Sequence, residues 1–376
     1  MAMTIPSNDA SEVLVEQVRQ AIERKAPLRI VGGNSKASLG NKVDHSDATE
    51  LAVRSHEGII SYDPTELVVT VRAGTPLADL NDVLSEAGQM LPFDPPDWSG
   101  STIGGVIACG LSGPRRPFSG AARDYVLGTR VINGQAQNLS FGGQVMKNVA
   151  GYDVSRIQVG AWGTLGVLLD VSMKVLPLPE LELTIRQTSN RDDLQGFAPL
   201  MRKPLPLSGA MLIDSDRYLR LSGSDAAVRV AAAELGGDIV DNNIWQAVRD
   251  HTHPFFLAAG EATQNSKQNL WRISVADYSP ALTLSGDWLY EWAGAQRWLL
   301  TSAAAEDVFR VVKEAQGHAT RYNAGDMASP AFQPLNGTMK SLQSRLRDSF
   351  DPLRLFNRGR FHPELDVDPR LASVSA

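Results

Sequence analysis

Two glycine-rich stretches carry the residue types and spacing that point most directly to chemistry. The first is Gly32-Gly33-Asn34-Ser35-Lys36, closing at Gly40; the second runs from Gly100-Ser101-Thr102-Ile103-Gly104-Gly105 through Gly110 to Gly113 and leads into Arg115-Arg116. A diphosphate needs several backbone N–H donors converging on it without intervening side chains, and neighbouring glycines permit both the close approach and the unusual backbone angles. Gly32, Gly33 and Gly40 do not have the G-x-G-x-x-G spacing of a nicotinamide-dinucleotide fingerprint, and the Walker pattern G-x-x-x-x-G-K-[ST] is absent. Alone, the Gly-Gly pair reads more readily as a turn that ends a strand. Arg115 and Arg116 read either as phosphate or carboxylate contacts or as solvated surface arginines. His251-Thr252-His253 puts two rings on one side of an extended segment, as metal ligation would need, but no third ligand is evident, so a surface loop is the better reading and no metal is expected.

Composition limits what such a site can serve. The chain has 376 residues, 43% hydrophobic and 21% charged, which is long for one core and suits two domains, since single cores stop growing near roughly 250–300 residues. No apolar run approaches the about 20 residues that span a bilayer, and the N-terminus lacks a basic segment followed by an apolar one, so the cytoplasm is the expected compartment. A net charge of −6, from 36 basic and 42 acidic residues, with no basic run interleaved with aromatics, argues against nucleic acid as a partner. The single cysteine, Cys109, rules out an intramolecular disulfide, a CxxC motif and an iron–sulfur cluster held by this chain alone.

The elements that must hold these segments are legible in part. Asp9–Lys25 reads as a helix with Leu14, Val18, Ala21 and Ile22 on one face and Asp9 with Glu12 placed like a capping box. Leu28–Val31 is a short strand feeding the first glycine loop. Gly58–Tyr62 and Glu66–Arg72 are strands, and Thr75-Pro76 opens a helix with Leu77, Leu80 and Leu84 inward and Gly88 beyond its end. The texture changes at Pro177 and Pro179, where a domain boundary is expected. Beyond it, strands are expected at Leu181–Arg186, Ser208–Ile213, Tyr218–Ser222 and Trp271–Val275. Helices are expected at Asp225–Leu235, Ala305–Gln316 and Met339–Phe350, the last with Leu342, Leu346 and Phe350 along one stripe. Trp288-Leu289-Tyr290-Glu291-Trp292 reads as core or as a docking face for partners, with core preferred.

Taken together, Arg29–Gly40 and Pro95–Arg116 resemble the two-part FAD site of the vanillyl-alcohol oxidase/p-cresol methylhydroxylase (PCMH-type) flavoproteins. The ordered set GGNSKASLG, YDPTELVVTVRAGTPL, GQMLPFDPP, ACGLSGPRRPFSG, VMKNVAGYD and GHATRY, with Arg123–Gly128 and Gly160–Val167, is similar to the FAD-binding subunits of bacterial glycolate oxidases, from about Leu14 to Phe361. The resemblance implies an α+β protein: a two-subdomain PCMH-type FAD-binding domain over residues 1–178, then an α+β cap domain over 179–376 whose C-terminal segment returns to the FAD domain. It implies that Gly32, Gly33, Asn34 and Ser35, with Lys36 and Gly40, bind pyrophosphate. By the same resemblance Pro95, Thr102, Gly104, Gly105, Gly110 and Gly113 pass over the dinucleotide, Arg123 and Asp124 lie near the flavin edge, and Gly166 and Val167 close the adenine side.

Relatives that attach FAD covalently carry a histidine after the first Gly-Gly, whereas Asn34 stands here; non-covalent FAD is therefore expected, with Cys109 a packing thiol. The resemblance further implies work inside a multi-subunit glycolate oxidase, oxidising glycolate to glyoxylate beside a catalytic flavoprotein subunit and an iron–sulfur subunit, and leaves room for peripheral attachment to the inner membrane through that complex. Oxidising a 2-hydroxy acid needs a base for the hydroxyl proton and a cation for the carboxylate. His318 with Arg321 are the candidates, ahead of His251, His253 and Arg272. Because His318 has no neighbouring histidine or acid in sequence, two alternatives remain: a self-sufficient FAD-dependent 2-hydroxy-acid dehydrogenase, or a scaffold with a vestigial flavin site.

Overall fold

Valine-rich strands that run apolar on both faces demand cover on both sides, and the segment Val167–Lys174 is such a strand, buried along almost its whole length. In the computed structural model, which describes residues 7–143, 152–190, 193–265, 268–277, 279–322 and 329–366, this strand is central to a five-stranded antiparallel sheet. The order is Ile59–Asp63, Val68–Arg72, Val167–Lys174, Val126–Ile132, Asn138–Gly142. Helix Leu77–Glu86 covers it with Leu77, Leu80 and Leu84, all fully buried, and Ile103–Cys109 adds Ile103, Val106 and Ile107. Helix Ser11–Arg24 contributes Leu14 and Val18 to the same core. It starts two residues later than the sequence predicts, because the Asp9 carboxylate accepts from the Ser11 backbone N–H (3.0 Å) and holds the chain in a turn there. The parallel pair Leu28–Val31 and Thr49–Ala52 forms a separate small sheet beside the first glycine loop.

Leu181–Thr188 opens an eight-stranded sheet in the order Asp238–Val240, Leu181–Thr188, Asp216–Gly223, Leu207–Ile213, Asp287–Glu291, Gln296–Thr301, Asn269–Ser274, His318–Arg321. Helices Asp225–Leu235 and Ala305–Glu314 pack on it through Val228 and Ala231 and through Val308 and Val312. The C-terminal segment leaves this sheet and joins the first core: Leu355 and Phe356 are buried there, and the Leu28 N–H donates to the Leu355 carbonyl (2.7 Å).

The helix Gly337–Phe350 departs from expectation. Leu342 remains 51% exposed, and the buried residue of the helix is Arg347. Its Nη2 donates to the Phe356 carbonyl (2.9 Å) and pairs with Asp366 (2.8 Å), so the helix docks through a guanidinium rather than a leucine stripe.

Several contacts join the halves. Asp94 pairs with Arg220 and Arg249, each at 3.3 Å. Arg115 pairs with Glu182, and the Asp97 N–H donates to Asp250 Oδ1 (2.9 Å). No helix among the described residues is long and apolar enough to cross a membrane.

Candidate functional site

The two glycine segments meet. A Cβ added at Gly33 would lie 1.6 Å from the Gly100 carbonyl oxygen, and one at Gly32 would lie 2.5 Å from Thr102 Oγ1. Such distances are far inside van der Waals contact, so the residue type itself permits the loops to interlock. Gly104 serves the same end on the other side: its N–H donates to the Ala73 carbonyl (2.8 Å), and a side chain there would strike Ala73. Asn34 takes a left-handed backbone conformation (φ 59°), which asparagine tolerates, and its Oδ1 accepts from Arg29 (2.9 Å).

Between the segments lies a cavity of about 230 Å³. Gly32, Gly33, Asn34, Ser35, Lys36, Thr102, Gly104, Gly105 and Gly166 all line it. Gly40, Pro95, Gly110, Gly113, Arg123, Asp124 and Val167 are not in its wall. Gly40 and Gly110 adopt positive φ against Trp162 and Gly160 respectively. Gly113 lets the chain pass the Asp94 carbonyl, Pro95 and Val167 are buried packing residues, and Asp124 caps its own short helix by accepting from the Ala121 N–H (2.9 Å). Of the motif VMKNVAGYD, residues 145–151 lie outside the described residues.

Sequence reasoning missed part of the wall. Asn357 and Arg360 arrive from the far end of the chain: Asn357 Oδ1 accepts from the Ile30 N–H (2.8 Å), its Nδ2 donates to the Trp162 carbonyl (2.8 Å), and Arg360 donates to the carbonyls of Lys36 and Ala37 (2.6 and 3.0 Å). Lys42 and His45 also line it. Nothing local in sequence marks Asn357 and Arg360, whose partners lie 195 to 327 positions away.

Lys36 is the cavity's most informative side chain. It is buried, and its Nζ donates to Ser35 Oγ (3.0 Å) and Ser101 Oγ (2.9 Å). Burial holds its pKa below the usual lysine value, with Cys109 and Asp97 opposing. An ammonium held by hydroxyls in a glycine-walled cavity suits an anionic ligand such as a diphosphate. Replacing it (Lys36→Met) is expected to weaken FAD binding about 10- to 100-fold, the loss of charge-assisted hydrogen bonds, while the apoprotein melts no lower than the parent. Flavin fluorescence titration and calorimetry of the apoprotein check the two halves of this expectation, and a strongly destabilised apoprotein would assign Lys36 a structural role.

Cys109 also lines this cavity. Burial pushes its thiol up to about 11, against the pull of Lys36 and Arg360, so at neutral pH it is a protonated, weak nucleophile.

The candidates in the second sheet separate. His318 and Arg321 are three positions apart on one strand, so alternation sends them to opposite faces. Arg321 is buried, donating to the Ser329 carbonyl (2.8 Å). His318 instead shares a face with Arg272: His318 opposes Ser274, two residues from Arg272 on the neighbouring strand. Burial lowers the His318 pKa, followed by the charges of Arg272 and Arg116.

The histidines at 251 and 253 also diverge. His251 stacks on Phe256 (4.3 Å), with Trp98 at 5.3 Å, and burial, then Arg272, lowers its pKa to about 3. His253 Nδ1 accepts from the Phe255 N–H (3.3 Å). Trp292 is buried, and its Nε1 donates to the Gly113 carbonyl (3.1 Å); of the aromatic run, that residue belongs to the seam between the halves. Arg115 is engaged by Glu182 and Ser222, whereas Arg116 lies over the Trp292 ring at 4.3 Å.

Comparison with known proteins agrees with this geometry. Residues 8–155 match the FAD binding domain family. Solved structures of alkyldihydroxyacetonephosphate synthase share the fold, with a TM-score of 0.65 at 13% identity, over 93% of this chain and 75% of that one. Fold and glycine cradle together define an α+β flavoprotein with a PCMH-like FAD-binding domain. Among relatives, the glycolate oxidase subunit GlcE of Escherichia coli (strain K12) is 46% identical over 359 residues, which is 95% of this chain and 99% of that protein. The glycolate oxidase subunit GlcD of Bacillus subtilis (strain 168) is 36% identical over 163 residues, 43% of this chain and 34% of that protein. The chain belongs to the family of the glycolate oxidase subunit GlcE.

Proposed function

We propose that this chain is the FAD-binding subunit of a multi-subunit glycolate oxidase, converting glycolate to glyoxylate beside a catalytic flavoprotein subunit and an iron–sulfur subunit. The observation that carries the reading is the 46% identity to GlcE sustained over 95% of the chain. The residues fit the cofactor. Gly32–Lys36 offer backbone donors and one ammonium to the diphosphate, Thr102, Gly104 and Gly105 form the opposite wall, and Gly163 and Gly166 leave space beside Leu168. When bound, FAD supplies the acceptor for the hydride of the 2-hydroxy acid. With one cysteine in the chain, electrons that leave the flavin must pass to another subunit or a small acceptor. The work is expected in the cytoplasm, which leaves room for peripheral attachment to the inner membrane through the complex.

The flavin is held without a covalent bond: Asn34 offers no imidazole, and the Cys109 thiol stays protonated at neutral pH. Acid precipitation of the holoprotein is expected to release all flavin to the supernatant, and yellow pellet protein would refute non-covalent binding. For the function itself, glycolate is added anaerobically to the purified chain and to the co-purified complex. Bleaching of the flavin is expected only in the complex; rapid bleaching in the isolated chain would favour a self-sufficient 2-hydroxy-acid dehydrogenase, and a chain that cannot be loaded with FAD would favour the scaffold reading.

A further inference from the structure

Arg116, from the first half of the chain, and Arg272, from the second, converge on one indole. Their guanidinium carbons lie 4.3 Å and 5.2 Å from the Trp292 ring, and Trp292 is fixed in turn by its hydrogen bond to Gly113. Arg272 spends its Nε on Gln296 Oε1 (2.8 Å), and Gln296 Nε2 donates onward to Glu291 (2.8 Å), which keeps that carboxylate one side chain removed from the guanidinium. Among the described residues no carboxylate forms an ion pair with either arginine, and neither Nη of Arg272 has a protein hydrogen-bond partner. Asp124 and Arg123 lie near Arg116 without pairing with it. Elsewhere three buried arginines pair with acids, Arg220 with Asp94, Arg347 with Asp366 and Arg354 with Asp348, and Arg297 and Arg321 give their guanidiniums to backbone carbonyls. Burial, then the charge of Arg272, lowers the Arg116 pKa, and both arginines act in the same direction on His318, while Tyr322 and Glu291 pull the other way on Arg272; the corner thus holds two cations with no acid in an ion pair.

We propose that Arg116 and Arg272 form a binding site for the carboxylate of a small 2-hydroxy or 2-oxo acid, with His318 beside the acid's 2-oxygen. A guanidinium presents parallel N–H donors that match the two oxygens of a carboxylate, and two of them from different halves of the chain hold a planar anion in one orientation. Trp292 supplies the apolar floor over which both guanidiniums lie. His318, whose pKa is lowered by burial and then by the charges of Arg272 and Arg116, can accept a hydrogen bond from a 2-hydroxyl through its unprotonated ring nitrogen. The class of acid rests on the glycolate oxidase reading; the existence of an anion site does not.

The test uses the full chain, with and without FAD, titrated with glycolate, glyoxylate and the uncharged analogue glycolamide, and read by tryptophan fluorescence and calorimetry. Glycolate and glyoxylate are expected to bind saturably and to change tryptophan emission, while glycolamide does neither. Arg116→Gln and Arg272→Gln are each expected to weaken binding by about 10-fold or more, as loss of a charge-assisted pair implies, with Arg116→Lys and Arg272→Lys in between. Arg310→Gln, on an exposed helix face, is expected to behave as the parent. Circular dichroism and FAD retention report whether each variant is folded.

Unchanged affinity in both glutamine variants would overturn the site, as would failure of a FAD-loaded chain to bind either acid. Inorganic pyrophosphate that competes with glycolate, together with loss of FAD from Arg116→Gln, would assign the pair to the cofactor and overturn it too. A chain that takes no FAD yet binds glycolate through these arginines would sink the flavin-subunit reading and leave the anion site standing.

Discussion

Gly33→Ala is expected to abolish FAD retention in a chain that still folds. The added methyl would stand 1.6 Å from the Gly100 carbonyl oxygen and 2.7 Å from its carbon, so the two glycine segments must separate by more than an ångström to admit it. Both partners are backbone, which cannot rotate away as a side chain does. Overpacking of this kind typically costs about 1–3 kcal/mol, too little to unfold a chain with two substantial cores. The displacement falls on the wall that holds Lys36 and Ser101 together, so the loss concentrates in the ligand: FAD affinity is expected to drop by more than about 100-fold, since a misplaced diphosphate forfeits several charge-assisted hydrogen bonds at once. Gly260→Ala is the control, on a helix where an added Cβ meets nothing within 4 Å; it is expected to be neutral or to stabilise by up to about 1 kcal/mol. Flavin absorbance after gel filtration and far-ultraviolet circular dichroism check both variants. A Gly33→Ala chain that elutes fully loaded would mean that the interlock is not what holds FAD.

That glycine pair shows how far sequence carried the site. Periodicity and turn residues placed the strand Leu28–Val31 and the helices Leu77–Glu86 and Asp225–Leu235 to within a residue or two, because each is decided by neighbours a few positions away. The Gly-Gly pair was visible but ambiguous: its reason for being glycine is a carbonyl 67 positions further along, and only the ordered set of motifs separated a cradle from a turn. Asn357 and Arg360 were out of reach altogether, since nothing near them announces a cavity wall.

His318 with Arg321 failed differently. A strand at His318–Arg321 had not been recognised, and once it is, alternation alone sends the two side chains apart and brings Arg272 to the face of His318. The stripe Leu342, Leu346, Phe350 misled because a guanidinium with a buried partner outcompeted it: Arg347 can reach Asp366 and the Phe356 carbonyl only from the inward face.

Asp94→Asn is expected to cost about 3–5 kcal/mol, the penalty for leaving buried arginines without their acid, and to do so at the seam between the halves rather than inside either core. Asp94 has a side chain only 12% exposed and receives Arg220 and Arg249, both from the second half, at 3.3 Å each. Burial would raise its pKa, but Arg220, Arg249 and Arg115 overcome burial and hold the carboxyl below the ordinary aspartate value. The sign follows from that depression. A carboxyl whose folded pKa lies below its unfolded one contributes stability at pH values above the unfolded value, and this contribution is lost as pH falls through the folded one. The gap between parent and variant is therefore expected to be full at neutral pH and to close only in strong acid, below about pH 4. Asparagine is the informative substitute because Asp94 sits at φ 49°, a conformation asparagine also tolerates, so the change removes charge without adding backbone strain. Urea denaturation followed separately by flavin release and by tryptophan emission reads the seam and the second core apart. The variant is expected to lose flavin at lower urea than it loses its second-half tryptophan signal, because Gly113, at the end of the second glycine segment, passes the Asp94 carbonyl and is tied to Trp292 across the seam. Coincident transitions shifted by less than about 1 kcal/mol would show that Arg220 and Arg249 find other partners, and that Asp94 does not hold the two halves together.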